Sequence, residues 1–347
     1  DLILNRNWAD ACSVRDNCDP NGNEMSPKQM ELFHWITDAL KDGGGYYSDP
    51  MLFYLEKGIQ EIKIVSLRES AAVRKMELIP KSTVNSYKET LKEFGAASAG
   101  NSPERELVCM LEAEEPIRKS SPMLTPAYDR SSPYTSPYST KELVLNMIGG
   151  DRWKIPGQWL EYEITIPEDG LYKIGFRARQ NALSGAYSSR KLMIDGKVPF
   201  AEAEKIRFDY STSWQIISPQ YEGKDCLIPL TAGKHTIRLE ATLGDMTRYL
   251  ETVEGSLTKL NEAYRQILTI TGPTPDLYRD YYFIQEIPEV FTCFEEQKQI
   301  LAGVQRELTA ELGHKGENLA IFTKLDFLFD KVLEKPASLV KQQIGRA

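Results

Sequence analysis

A period-two run of apolar residues, punctuated by Pro and Gly and occurring twice, constrains this sequence more than any other feature. The fuller copy runs from Trp159-Leu-Glu-Tyr-Glu-Ile-Thr-Ile166 through Gly170-Leu-Tyr-Lys-Ile-Gly-Phe-Arg-Ala-Arg179 and Arg190-Lys-Leu-Met-Ile-Asp-Gly196 to Gly233-Lys-His-Thr-Ile-Arg-Leu-Glu240. In an extended chain Leu160, Tyr162, Ile164 and Ile166 share one face, and Trp159, Glu161, Glu163 and Thr165 share the other. The alternation returns at Tyr172, Ile174, Phe176 and Ala178, after the turn signal Pro167-Glu-Asp-Gly170. Short strands at this spacing, joined by turns, predict an antiparallel sandwich or jelly roll. Its inner face is expected to hold Tyr162, Ile164, Tyr172, Ile174, Phe176, Ile237 and Leu239.

The end of that pattern, Ile206 to Trp214 and then Leu227 to Glu240, is echoed by Leu2-Ile-Leu-Asn-Arg-Asn-Trp8 and Leu52 to Ile64. A repeat has to be recognised before a fold is assigned. Here it implies two sandwich units, the first lacking its front strands, so that Asp1 is expected to fall in mid-domain. Strand-like runs in the first copy are Met51 to Leu55, Ile59 to Leu67 and Val73 to Ile79, after the Gly43-Gly-Gly45 turn signal. Residues 1–82 are thus read as the incomplete first sandwich. Residues 83–105 are read as a linker with a short helical piece from Val84 to Phe94, ending in Gly95-Ala-Ala-Ser-Ala-Gly-Asn-Ser-Pro103. Residues 106–245 form the second sandwich.

Beyond Asp245 the period becomes helical. Met246, Tyr249, Leu250, Val253, Leu257, Leu260, Tyr264 and Ile267 recur three or four apart, with Asp245 placed as N-cap. A second helix is predicted from Pro288 to Leu312, stopped by Gly313, and a third from Asn318 to Leu333. Residues 246–337 therefore read as an antiparallel helical bundle, and 338–347 as a tail. The fold class is mainly β with an α-helical region.

A net charge of −8 argues against a phosphate-backbone partner, since nucleic-acid binding rests on clustered Lys and Arg. No run is long and apolar enough to read as a membrane span. Five cysteines, Cys12, Cys18, Cys109, Cys226 and Cys293, show no C-x-x-C spacing. Only Cys12 and Cys18 are close enough in sequence to close a small loop; unpaired thiols are the alternative reading.

The sequence has three histidines, His34, His235 and His314, in three different segments. His235, in a strand entered from a Gly turn, reads as structural. No G-x-S-x-G, H-E-x-x-H or Walker-type loop occurs. The expectation is a protein without catalysis.

Four stretches carry a resemblance: Leu111-Glu-Ala-Glu-Glu115, Gly157-Gln-Trp-Leu-Glu-Tyr-Glu-Ile164, Pro167-Glu-Asp-Gly-Leu-Tyr172 and Leu230-Thr-Ala-Gly-Lys-His-Thr-Ile-Arg-Leu-Glu240. They resemble the galactose-binding-like jelly roll of non-catalytic carbohydrate-binding modules, over about residues 106–245 and weakly over 1–80. A narrower resemblance is to the N-terminal region of extracellular solute-binding proteins of Gram-positive ABC sugar importers. It rests on Arg130-Ser-Ser-Pro133, Asn146-Met-Ile-Gly-Gly-Asp-Arg-Trp153, Ile194-Asp-Gly-Lys-Val-Pro-Phe200 and Thr271-Gly-Pro-Thr-Pro-Asp-Leu-Tyr-Arg-Asp-Tyr281. That resemblance implies an extracellular, cell-surface lipoprotein engaged in sugar transport, with an oligo- or polysaccharide and an ABC permease as partners. Two rivals stand beside it: a scaffold that binds no sugar, and an accessory module of a polysaccharide-degrading enzyme.

The module family also implies a structural calcium. Glu112 and Glu114 match its acidic pair, with Asp245 or Glu240 supplying the partner; calcium takes six to eight oxygens. The alternative is a solvated strand edge without an ion. A sugar site needs a flat aromatic beside planar hydrogen-bonding groups. Trp153, Trp159, Tyr187, Arg190 and Tyr210 are the candidates, and Trp214 a further one whose echo at Trp8 favours a structural role. For each of these aromatics, packing in the sandwich is the competing reading.

Overall fold

The computed structural model describes residues 2–3, 6–47, 49–66, 72–80, 83–95, 109–182, 184–276, 278–312 and 317–343. The chain divides into two compact units. Unit 1 comprises Asp1–Phe176, Ser189–Ile206 and Ile216–Thr242; unit 2 comprises Arg177–Ser188, Arg207–Gln215 and Leu243–Ala347.

A large antiparallel sheet has most of its residues in unit 1. Its seven strands are β1 (Trp8–Asp10), β2 (Gln29–Glu31), β3 (Arg118–Lys119), β4 (Trp159–Ile166), β5 (Tyr187–Ile194), β6 (Ile206–Asp209) and β7 (Gly233–Thr242), in the order β6-β5-β7-β4-β3-β1-β2. At its centre β4 and β7 pair from Trp159 opposite Glu240 to Ile166 opposite Gly233. β5 flanks β7, with Lys191 opposite Glu240 and Leu192 opposite Leu239. Gly170–Lys173 pairs separately with Leu227–Leu230, burying Ile228 and Leu230.

One face of the sheet is apolar, as the alternation predicts. Leu160, Tyr162, Ile164, Ile237 and Leu239 are buried, whereas Tyr172, Ile174 and Phe176 are only half-buried. The other face is charged, buried at Trp159, Glu161, Lys191 and Glu240 and exposed at Glu163 and Thr165. Glu161 accepts from Arg238 at 2.7 and 2.9 Å and pairs with Arg118. Glu240, 0% exposed, takes both oxygens to Lys41 at 2.7 and 2.9 Å, and Lys191 reaches Asp49 at 2.9 Å. A buried charge is tolerated only when paired, and the register sets Arg118 and Arg238 opposite Glu161.

The expected boundary between a first sandwich and a second is not where unit 1 divides. β1 and β2 continue the sheet of β4 and β7 through β3, with Trp8 opposite Lys119. Residues 51–66 and 72–80, read as strands, contain none, and their apolar side chains are exposed. Leu67 lies outside the described residues. The segment read as a linker contains helix α1 (Tyr87–Gly95), whose Tyr87 stacks edge-on against Phe200 at 5.1 Å and accepts a hydrogen bond from Leu227 N–H at 2.9 Å. Tyr87 is therefore part of the core rather than of a tether.

In unit 2 the helical periodicity holds: α2 spans Met246–Thr271, α3 Phe283–Glu286, α4 Pro288–Leu312, α5 Glu317–Glu334 and α6 Ser338–Gln343. α4 packs against α2 and α5 around Ile267, Val290, Phe294, Leu301, Phe329 and Val332. The buried stripe of α2 is narrower than its apolar pattern, because Leu250, Leu257 and Tyr264 remain partly in solvent. Asp245 occupies the N-cap position of α2, but its side chain makes no capping bond. Gly313 and His314 lie outside the described residues.

Candidate functional site

Trp153 follows the turn Gly149–Arg152 and packs, half-buried, against the Leu124–Leu160–Tyr162 core of unit 1. Its Nε1–H donates to Gln158 O at 3.0 Å, which fixes the ring. The Arg190 guanidinium lies 4.3 Å from the ring centroid and donates to Ser189 O (2.8 Å) and Trp153 O (3.2 Å). Among the described residues no carboxylate pairs with Arg190. Desolvation lowers its pKa to about 10. The result is a planar cation lying on an indole, its bonded acceptors neutral.

Trp159, expected as a sugar platform, is 2% exposed beneath Arg238, whose guanidinium is 4.0 Å from the ring centroid. It sits at the centre of a covered sheet and has no free face for a ligand. Tyr187 is buried too, in unit 2. Its hydroxyl donates to Glu311 Oε1 at 2.9 Å, the Tyr249 hydroxyl donates to Glu311 Oε2 at 2.9 Å, and Arg207 and Arg248 cover the two rings at 4.0 and 4.5 Å. Burial, then the neighbouring Glu311, holds both phenols above their ordinary pKa. Beside them opens a groove of ≈ 590 Å³ lined by Asp245, Arg248, Tyr249, Glu307, Ala310 and Glu311. A guanidinium lies over one face of each ring, and the groove itself is lined by three carboxylates, Arg248, Tyr249 and Ala310. Tyr210 bridges Gln180 and is part-exposed.

Glu112 and Glu114, two of the three residues expected around calcium, interact electrostatically. Glu114, buried in unit 1, pairs with Arg15, which also holds Glu24 at 2.7 Å. Burial pushes the Glu114 carboxyl up to about 7 against the pull of Arg15. Glu112 accepts from Ser136 Oγ at 3.3 Å, while Asp245 belongs to unit 2. Among the described residues no group of three or more His, Cys, Asp or Glu is arranged to hold a metal ion. The cation facing Glu114 is a guanidinium of the chain itself.

His235 lies 2.6 Å from Asp195 Oδ2 through Nδ1 and 2.8 Å from Thr231 O through Nε2. The Thr231 hydroxyl also lies 3.4 Å from Nε2, so both ring nitrogens are engaged by Asp195 and Thr231. Its pKa is raised, chiefly by the Asp195 hydrogen bond. All five cysteines are free thiols, Cys12 and Cys18 included. The sequence reading passed over Tyr128, Tyr134 and Tyr138, exposed in a Ser/Pro-rich stretch. Three aromatic residues within an otherwise polar turn region were the available signal.

No family model matches the chain, and no curated protein matches it. Among solved structures it is similar to a Paenibacillus sp. cycloisomaltooligosaccharide glucanotransferase complexed with cycloisomaltoheptaose, at 22% identity and TM-score 0.28, over 46% of this chain and 21% of that one. It is also similar to a native family 35 carbohydrate binding module from Clostridium thermocellum, at 19% identity and TM-score 0.21, over 25% and 61%. The chain thus spans about a fifth of the glucanotransferase. Overlaps this small assign neither a site nor a ligand. Among the described residues no helix is long and apolar enough to cross a membrane.

Proposed function

We propose that this chain is a non-catalytic, extracellular, saccharide-binding or accessory region of a lipid-anchored solute-binding protein serving an ABC-type sugar importer. The observation that carries the reading is the Trp153–Arg190 pair: a guanidinium 4.3 Å from the centroid of a half-buried indole, with no carboxylate paired to it among the described residues. Neutral oxygens are what its N–H groups bond, and a sugar hydroxyl is a neutral oxygen. The importer assignment rests on the sequence motifs alone. The non-catalytic reading rests on how the titratable groups are engaged, with His235 held between Asp195 and Thr231 and Glu311 accepting from two phenols.

Shallow sites at sheet margins bury little ligand, so millimolar to micromolar affinity is the physical expectation. Titrating the chain with a panel of soluble oligosaccharides while following Trp fluorescence tests the proposal, with Trp153→Ala as control. Binding that weakens in the variant supports it. Silence across the panel favours a scaffold without a sugar ligand, and hydrolysis of any glycan by the purified chain overturns the non-catalytic reading.

A further inference from the structure

The stretch between Pro126–Ala127 and Met147–Ile148 is the part of unit 1 that the sheet does not account for. These two short strands pair antiparallel, Ala127 opposite Met147, and residues 128–146 between them display Tyr128, Tyr134 and Tyr138 at 55%, 83% and 44% exposure. A mere connection gains nothing from three large rings in water.

The backbone beneath those rings is clamped. Asn146, buried, accepts from Asp129 N–H at 2.8 Å and donates through Nδ2 to Asp129 O and Pro137 O, both at 3.0 Å. One amide thus holds together the two ends of 129–137, with Tyr128 and Tyr138 just outside the clamp and Tyr134 within the loop. Arg130 adds a bond to Glu142 O at 3.1 Å. The returning arm is fixed from outside, Leu143 N–H donating to Asn23 Oδ1 at 2.8 Å and Leu145 N–H to Glu24 Oε2 at 2.7 Å. Rings carried on a backbone ordered in advance lose less entropy when a ligand arrives.

The charged residues of this stretch, Asp129, Arg130, Lys141 and Glu142, balance. A nucleic acid would need a cationic track beside the rings, and none is present here. The chemistry that fits exposed phenol rings among serine hydroxyls, with no net charge, is an uncharged saccharide. The loop is also joined to the Trp153 region, because Arg152 donates to Thr125 Oγ1 at 2.9 Å and to Pro126 O at the strand that leads into it.

We propose that Tyr128, Tyr134 and Tyr138 form a saccharide-contact surface that extends the Trp153–Arg190 site, so that the chain recognises an uncharged oligosaccharide several units long. The proposal rests on the saccharide reading of the chain. Calorimetric titration of the intact chain with cello-, xylo- and galacto-oligosaccharides, disaccharide against hexasaccharide, tests it. The expected result is a preference for one hexasaccharide of about tenfold or more, abolished in the triple variant Tyr128→Ala/Tyr134→Ala/Tyr138→Ala. Because the three rings are exposed, the triple variant is expected to keep the parent's melting temperature, which is measured alongside. A triple variant that keeps the preference, or a parent that binds both lengths equally, overturns the proposal and leaves the saccharide function standing. A parent that binds none of the sugars overturns both.

Discussion

Strands β4 and β7 and residues 51–66 with 72–80 share a composition and differ in fate. Both regions are rich in regularly spaced Ile, Leu, Val and aromatic residues. In β4 and β7 they become the centre of a sheet and are buried on its apolar face; in 51–66 and 72–80 they stand in solvent without a strand, Tyr54, Ile59 and Ile79 among the most exposed. The difference lies in the partners. β4 has a neighbour on each side, an apolar layer beneath it, and a charged face whose every carboxylate finds a cation. Local alternation specifies which side chains would be buried together. It does not specify that anything is there to bury them, since strand pairing is a contact between distant parts of the chain.

If pairing is what separates the two regions, breaking one buried pair should do the most harm. Glu240→Ala leaves Lys41 facing a sealed sheet without its anion, and is expected to cost about 3–5 kcal/mol of unfolding free energy by urea titration. Replacing Glu240 and Lys41 together by Met should recover most of that loss. A cost below about 1 kcal/mol for Glu240→Ala would mean that water reaches this face, and the contrast with 51–66 would shrink.

The apolar face gives the next effect. Leu160 is fully buried against Leu124 and Tyr162, so Leu160→Ala should cost about 2–5 kcal/mol, with the spread set by how far the site collapses. The same measurement on Ile237→Ala, one register position from the charged pair Glu161–Arg238, shows whether the two faces fail independently.

Much of this was legible in the sequence. The period-two runs marked β4 and β7, and the three-four spacing after Asp245 marked α2, α4 and α5 nearly to the residue, because both signals are local. Nonlocal choices were not legible. The echo of Trp214 at Trp8 implies a second unit, whereas Trp8 pairs with Lys119 in the main sheet. Trp159 and Tyr187 each open a strand, a position that in sequence alone suits a ligand contact. Which strand ends are covered depends on Lys41, Asp49, Arg238 and Glu311, residues far away in the chain. The polar surroundings of Tyr128, Tyr134 and Tyr138 read as turns, which masks three exposed rings.

A smaller effect follows from pH. His235 has a raised pKa in the folded chain, so its contribution is fully present below its unfolded value of 6.5 and is lost as pH rises through the folded value. Glu114, raised from 4.5 to about 7, acts in the same direction, stabilising below 4.5 and losing that contribution as pH rises to about 7. Stability should therefore fall as pH climbs from 5 to 8, by at most about 1.4 kcal/mol per pH unit for each titrating proton. His235→Gln should flatten the upper part of this slope, as measured by melting temperature across the range. A slope unchanged in that variant would assign the whole effect to Glu114 and the other groups of unit 1.

The smallest expected effect tests the other side of the comparison most directly. Ile59 is fully exposed and lies in a described stretch with no strand. Ile59→Ser removes an apolar side chain that water already surrounds, so unfolding free energy should move by no more than about 0.5 kcal/mol. In β4 the same kind of change at Ile164 removes a buried group and adds an unpaired hydroxyl, and should cost several times as much. The ratio of the two is the informative quantity, because it cancels whatever the substitution does to the unfolded chain in general. If Ile59→Ser cost more than about 1 kcal/mol, the stretch would be covered in solution, and its alternating residues would have found the partner strand that their pattern calls for.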